Sequence, residues 1–95
     1  MLRVRWLKKA LKNLEDAYNY LHQDSPSSAQ QFVEDVHEQT KLLITYPAMG
    51  RPGRVAGTRE LVVAHFPYLI PYRLKDKEIQ ILRVFNTNQK SPERW

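Results

Sequence analysis

A chain of 95 residues has room for one hydrophobic core, and 42% apolar against 26% charged residues is the balance of a folded domain, not of a disordered tract. With no cysteine, disulfides and thiolate metal sites are excluded. The net charge of +5 is unevenly laid out: residues 1–12 carry five Lys or Arg and no acid, residues 13–40 six acids and no Lys or Arg, and residues 41–95 ten bases against four acids. Such a layout attracts polyanions or acidic protein segments, with solubility as the plain alternative.

Arg3 to Leu7 alternate in the manner of a short strand. This N-terminal stretch lacks the apolar run of a signal peptide, and nothing in the chain approaches the roughly 20 apolar residues of a membrane helix, so a cytoplasmic protein with no membrane contact is expected. From Leu7 the period changes. Leu7, Ala10, Leu11, Leu14, Ala17, Tyr18 and Leu21 form one stripe of an amphipathic helix. Asp24-Ser25-Pro26 ends that helix and starts another, since Ser25 can cap and proline is favoured at a first helical position. Ala29, Phe32, Val33, Val36, Thr40 and Leu43 continue a second stripe as far as Tyr46-Pro47. Two helices so closely joined form a hairpin, and a sheet is the natural place to bury both apolar faces.

Pro47 to Thr58 hold all three glycines and two prolines, which marks a loop. Three strands are expected beyond it, around Leu61-Val62-Val63, over Tyr68 to Leu74, and over Ile79 to Phe85, with Lys75-Asp76-Lys77 as a tight turn between the last two. Pro71 has no N–H for a ladder and calls for an edge position or a bulge. The fold class expected is α+β, in the order β-α-α-β-β-β, one domain over 1–95 with 88–95 as a tail.

Strand alternation puts Arg73 on a face with Leu69 and Pro71, opposite Tyr68, Ile70, Tyr72 and Leu74, and puts Arg83 with Ile79, Ile81 and Phe85, opposite Leu82 and Val84. If the helices cover the Tyr68/Ile70/Tyr72 side, Arg73 and Arg83 point out of the uncovered side, where Arg59 could join them. Other conspicuous residues read more simply. Trp6, Tyr18 and Phe32 belong to the core, His22 and His37 have no third ligand at a telling spacing, and no metal or other cofactor is expected. Gly50-Arg51-Pro52-Gly53-Arg54 lacks the strand and helix of a phosphate-binding loop, so its glycines serve the turn. Trp95, after Lys90 and Arg94, either packs back onto the domain or anchors a partner.

The order of elements, with Met1 to Leu7, Tyr46-Pro47 followed by Gly50-Arg51-Pro52, Val55 to Val63, Pro67 to Arg73 and Ile79 to Phe85, resembles the RelE/ParE superfamily of toxins over nearly the whole chain, closest to the ParE branch. The resemblance implies the toxin of a type II toxin–antitoxin pair, neutralised by a cognate antitoxin protein and touching operator DNA only through it. One branch of the superfamily cleaves messenger RNA on the ribosome; the ParE branch poisons DNA gyrase without being an enzyme. Cleaving RNA without a metal needs a proton acceptor, a cation over the developing phosphorane and an acid for the leaving oxygen. Arg59, Arg73 and Arg83 would supply the cation, but Phe85-Asn86-Thr87-Asn88 offers no titratable group, and Asn86 stands where many relatives have histidine. Glu60 and His65 are the remaining acid–base pair. The expectation is therefore gyrase poisoning, with Arg59, Arg73, Arg83, Asn86, Lys90, Arg94 and Trp95 as target-binding candidates. The alternatives are a ribosome-dependent endonuclease using Arg59, Arg73 and Arg83, and a degenerate toxin that only binds antitoxin and assists autoregulation.

Overall fold

The computed structural model describes residues 2–95. It runs β1 (Arg3–Trp6), α1 (Lys8–Asp24), α2 (Pro26–Leu42), β2 (Arg51–Pro52), β3 (Arg59–Val62), β4 (Tyr68–Lys75), β5 (Glu78–Ile81) and β6 (Phe85–Asn86). The strands form one sheet in the order β1-β5-β4-β3-β2, with β6 continuing beside β4. β1 lies parallel to β5, and every other pairing is antiparallel. The fold is α+β, as the apolar patterning predicts, with β2 and β6 as two-residue additions to the expected set.

Ser25 alone separates the helices. Its backbone N–H closes α1 on the Leu21 carbonyl, and its hydroxyl accepts from Ser28 N at 3.2 Å to cap α2, with Pro26 opening that helix. α2 stops at Leu42, four residues short of the expected end. Leu43, Ile44 and Thr45 instead donate to Thr40, Lys41 and Leu42, the tightened three-residue bonds that use up the last carbonyls of a helix. The core joins Ala10 and Ala17 of α1 and Phe32 and Val36 of α2 to Leu61, Ile70, Tyr72, Ile79 and Ile81 of the sheet. Phe32 sits against the rings of Phe66 and Tyr68, at 5.2 and 5.0 Å. Two residues of the first stripe stay out of this core. Leu11 is 52% exposed and Tyr18 only partly buried beside His22, because at roughly 100° per residue both fall at the margin of the stripe centred on Ala10, Leu14 and Leu21.

The last expected strand, Ile79 to Phe85, is broken. Tyr72 pairs with Ile81 and Leu69 with Phe85, so three residues, Leu82, Arg83 and Val84, lie opposite the two residues Ile70 and Pro71. This is a β-bulge of one extra residue. It lies next to Pro71, whose carbonyl accepts from Leu82 N at 2.9 Å but which has no N–H to return. Ile79 and Ile81, expected on the open side with Arg83, face the helices through their regular pairing with Leu74 and Tyr72, and the slip beyond them leaves Arg83 and Val84 on their expected sides. Leu82 and Arg83, neighbours in sequence, both turn to the side the helices leave open.

Tyr72 fastens the glycine-rich loop to this frame. Its hydroxyl accepts from Gly50 N at 2.9 Å and donates to the Pro47 carbonyl at 2.8 Å, and burial pushes the phenol up from its ordinary pKa. A side chain at Gly50 would meet Tyr72 Cε1 at 2.6 Å and the Glu60 carbonyl at 2.8 Å. The β4–β5 turn is two residues, Asp76 and Lys77, both left-handed at φ 53 and 61, the geometry that matches strand twist and favours glycine.

Two stability outcomes follow. Tyr72→Phe leaves a buried N–H and a carbonyl unpaired, and urea denaturation should show a loss of about 1–3 kcal/mol. Lys77→Gly should raise stability in the same measurement by about 0.5–1 kcal/mol, removing a left-handed penalty of roughly 1–2 kcal/mol less glycine's entropic cost.

Candidate functional site

The face of the sheet away from the helices carries Arg3 and Arg5 of β1, Glu78 and Gln80 of β5, Arg73 of β4 and Glu60 of β3, an assignment that follows from their pairings. A chain of polar contacts crosses it. Arg73 Nε donates to Gln80 Oε1 at 2.8 Å, Gln80 Nε2 donates to Glu78 Oε1 at 2.9 Å, and Arg5 Nη1 reaches the same oxygen at 3.2 Å. Arg3 lies 3.5 Å from the other oxygen. The Gln80 amide first, and then Arg5 and Arg3, hold the Glu78 carboxyl below the usual carboxylate range against the cost of its burial. Arg73 is thus oriented by a neutral amide, without a carboxylate to neutralise it.

Glu60 has a different task. It is buried, and its oxygens take Arg51 Nη2 at 3.4 Å, Arg54 N at 2.9 Å and Arg54 Nε at 3.7 Å. That grip folds the loop against the open face, where Gly53 N and Thr58 Oγ1 close its far end on Thr58 O and Val55 O. The loop then walls a cavity of about 630 Å³. Lys8, Lys9, Arg73, Arg83 and Arg94 surround it, Leu7, Val55, Leu82 and Trp95 give it apolar walls, and no acid lines it. Burial pushes the Arg83 guanidinium down from its ordinary value, though it stays protonated.

The tail closes one side. Arg83 Nη1 donates to Leu82 O at 2.6 Å and Nη2 to the main-chain oxygen of Trp95. The Trp95 ring meets Phe85 edge-on at 5.2 Å, the Arg54 guanidinium stands 6.0 Å from the Phe85 centroid, and Arg54 also donates to Ser91 Oγ. Trp95 Nε1 is buried with no hydrogen-bond partner.

Of the residues singled out from sequence, the fold therefore brings Arg73, Arg83, Arg94 and Trp95 together. Arg59 does not line this cavity: it pairs with Tyr72 and donates to the carbonyls of Gly50 at 2.8 Å and Ala48 at 3.4 Å, fastening the loop, and it meets Arg73 only in a separate cleft with Pro47 and Leu74. Asn86 pairs with Tyr68 and lines a separate cleft with Asn13, Asp16 and Tyr20, its Oδ1 accepting from Asn88 N. Lys90 is exposed outside the cavity, and His65 is exposed in the β3–β4 turn at φ 70. Lys8 and Lys9 went unrecognised in sequence, although they carried a signal. They open α1 where no acid occupies the first turn and Leu7 gives no side-chain cap, against the preference of a helix N-terminus for negative charge.

The sequence pattern of residues 4–90 matches the family described as the ParE toxin of the type II toxin–antitoxin system parDE. The chain belongs to the ParE toxin family. It is 41% identical over 91 residues to a Sinorhizobium fredii protein named as toxin Y4kP, covering 96% of this chain and 94% of that one. It is 36% identical over 84 residues to toxin RelE2 of Caulobacter vibrioides, covering 88% and 93%. A solved chain described as the chromosomal ParDE system from P. aeruginosa superposes with a TM-score of 0.78 at 37% identity, over 90% of this chain and 96% of that one. This ParE-family chain is accordingly the toxin of a type II toxin–antitoxin system, and such a toxin has an antitoxin as its partner. No helix of the described residues is long and apolar enough to cross a membrane.

The polar chain on the open face makes a pH signature. A carboxyl depressed in the folded state stabilises above its unfolded pKa, about 4.3, and that stabilisation is lost as pH falls through the folded value. Thermal melts of the wild type and Glu78→Gln should differ at neutral pH and converge in acid below the folded value of Glu78.

Proposed function

We propose that this toxin inhibits growth by poisoning DNA gyrase, holding it in its cleaved-DNA state, that the open-face cavity is its contact with the target, and that its cognate antitoxin neutralises it and carries the pair to operator DNA. One observation supports a binding role over RNA cleavage. The side chains gathered at the cavity are lysines, arginines, apolar groups and the Thr58 hydroxyl, with no residue able to exchange a proton near neutral pH. Glu60, the nearby carboxylate, has its oxygens taken by Arg51 and Arg54, and His65 lies in the turn ahead of β4. Five cations with no acidic side chain among the lining residues need no pKa tuning to hold an acidic surface.

Purified toxin incubated with gyrase, supercoiled plasmid and ATP should accumulate linear DNA, suppressed by the antitoxin. Arg83→Ala should lose this effect, and its toxicity in cells, while still binding antitoxin. Wild-type trapping by Arg83→Ala would remove the cavity from the mechanism. No trapping by a folded toxin that still arrests growth would turn the reading to ribosome-dependent RNA cleavage, with Arg59, Arg73 and Arg83 as the candidates.

A further inference from the structure

Beyond the cavity, the open face holds its arginines in pairs. Glu78 on β5 carries Arg3 at 3.5 Å and Arg5 at 3.2 Å, and Glu60 on β3 carries Arg51 at 3.4 Å and Arg54 at 3.7 Å. In each set one buried carboxylate orients two guanidinium groups and neutralises only one charge. The carboxylates are covered, whereas the side chains of Arg3, Arg5 and Arg51 are 83%, 61% and 53% exposed. A guanidinium has five donors, so one held at an edge keeps others for a second anion. Along β4, Glu60 stands opposite Pro71 and Glu78 opposite Lys75. Four residues at about 3.4 Å along the strand and two strand spacings of about 4.8 Å across it set the pairs roughly 17 Å apart. Arg73 stands midway on that diagonal, held through Nε by Gln80, and the exposed Lys8 and Lys9 flank it across the cavity.

We propose that this diagonal of cations grips the phosphate backbone of double-stranded DNA. The inference deepens the gyrase reading and rests on it: the duplex is the one the target holds cleaved, so the toxin touches nucleic acid as well as protein. A duplex carries one charge per roughly 1.7 Å of its axis, about ten along 17 Å, and so meets the cations at both ends and in the middle at once. Guanidinium forks also match phosphate oxygens in pairs. A protein segment would need carboxylates placed at all three positions, whereas phosphates repeat whatever the sequence. The opposite side of the molecule has the opposite sign, because residues 13–40 of the helical hairpin carry six acids and no Lys or Arg. A polyanion is therefore drawn to the sheet and turned away from the helices. Single strands fit less well: Phe85 and Trp95, the aromatic rings of this face, are packed edge-on against each other at 5.2 Å and offer no base-stacking platform.

The test is fluorescence anisotropy on the purified full chain with a short labelled DNA duplex, repeated from about 50 to 200 mM salt. Binding is expected, its log affinity falling against log salt with a slope near −0.9 for each phosphate neutralised. Arg3→Ala with Arg5→Ala should make that slope shallower by about two. Lys8→Gln with Lys9→Gln should do the same, and this pair uncovers no buried carboxylate; melting temperature is the fold control for both. Lys12→Gln with Lys41→Gln, exposed on the helices, removes as much net charge and should leave the slope unchanged. No binding at the lowest salt, equal losses from the helix pair and the sheet pairs, or tighter binding of a labelled oligothymidylate or polyglutamate would each overturn the proposal. Gyrase trapping by a toxin that binds no duplex would sink this inference alone, and duplex binding without trapping would sink only the choice of target.

Discussion

One missing hydrogen-bond donor organises the open face. Pro71 lies in the middle strand of the sheet, where every other residue has an N–H to offer, and the ladder slips by one residue beside it. The extra residue is accommodated at Leu82 to Val84, with two consequences. Val84 returns to the core beside Ile79 and Ile81, and Arg83 is expelled onto the side where Arg73 already stands. Without the slip, strict alternation would aim a guanidinium into the apolar layer beneath the helices, a placement that desolvation forbids.

The two arginines share the cavity with no acidic side chain because Glu60 and Glu78 are engaged elsewhere. Glu60 is held by Arg51 and Arg54 and so folds the loop into a wall, while Glu78 is held by Arg3, Arg5 and Gln80 at the β1 side of the sheet. Each buried carboxylate fixes architecture around the cavity and contributes nothing to its interior. Tyr72 and Arg59 do the same from the other face, gripping Gly50 so that the loop cannot lift away. Cations concentrate at the cavity by this exclusion of acids as much as by the chain's overall positive charge.

Much of this was legible before any coordinates, for identifiable reasons. The helices announce themselves through long apolar stripes, and Ser25-Pro26 marks their junction by capping chemistry that acts locally. The Lys75 to Lys77 turn and the face shared by Arg73 with Leu69 and Pro71 follow from alternation over an unbroken strand. What alternation misjudged is the side taken by Ile79, Ile81 and Leu82, because it carried one phase through to Arg83 across the break. Ile79 to Val84 is apolar enough on both faces to read as one strand, so nothing local shows where its phase changes, and only Pro71, on a neighbouring strand, hints at it. Arg59 was misjudged for a different reason: its place depends on pairing with Tyr72, a long-range register that no short window contains. The gathering of Lys8 and Lys9 with Trp95 spans almost the whole chain and is visible only once folded.

The slip is therefore the claim on which the placement of Arg83, and with it the site, depends. It is tested most directly by nuclear Overhauser contacts between Hα protons across the sheet, which are strong only for residues directly opposite in a pair that exchanges no hydrogen bonds. The account predicts such a contact between Tyr68 and Asn86. A contact between Tyr68 and Phe85 instead, the partner in an unbroken strand, would contradict it and return Arg83 to the face beneath the helices.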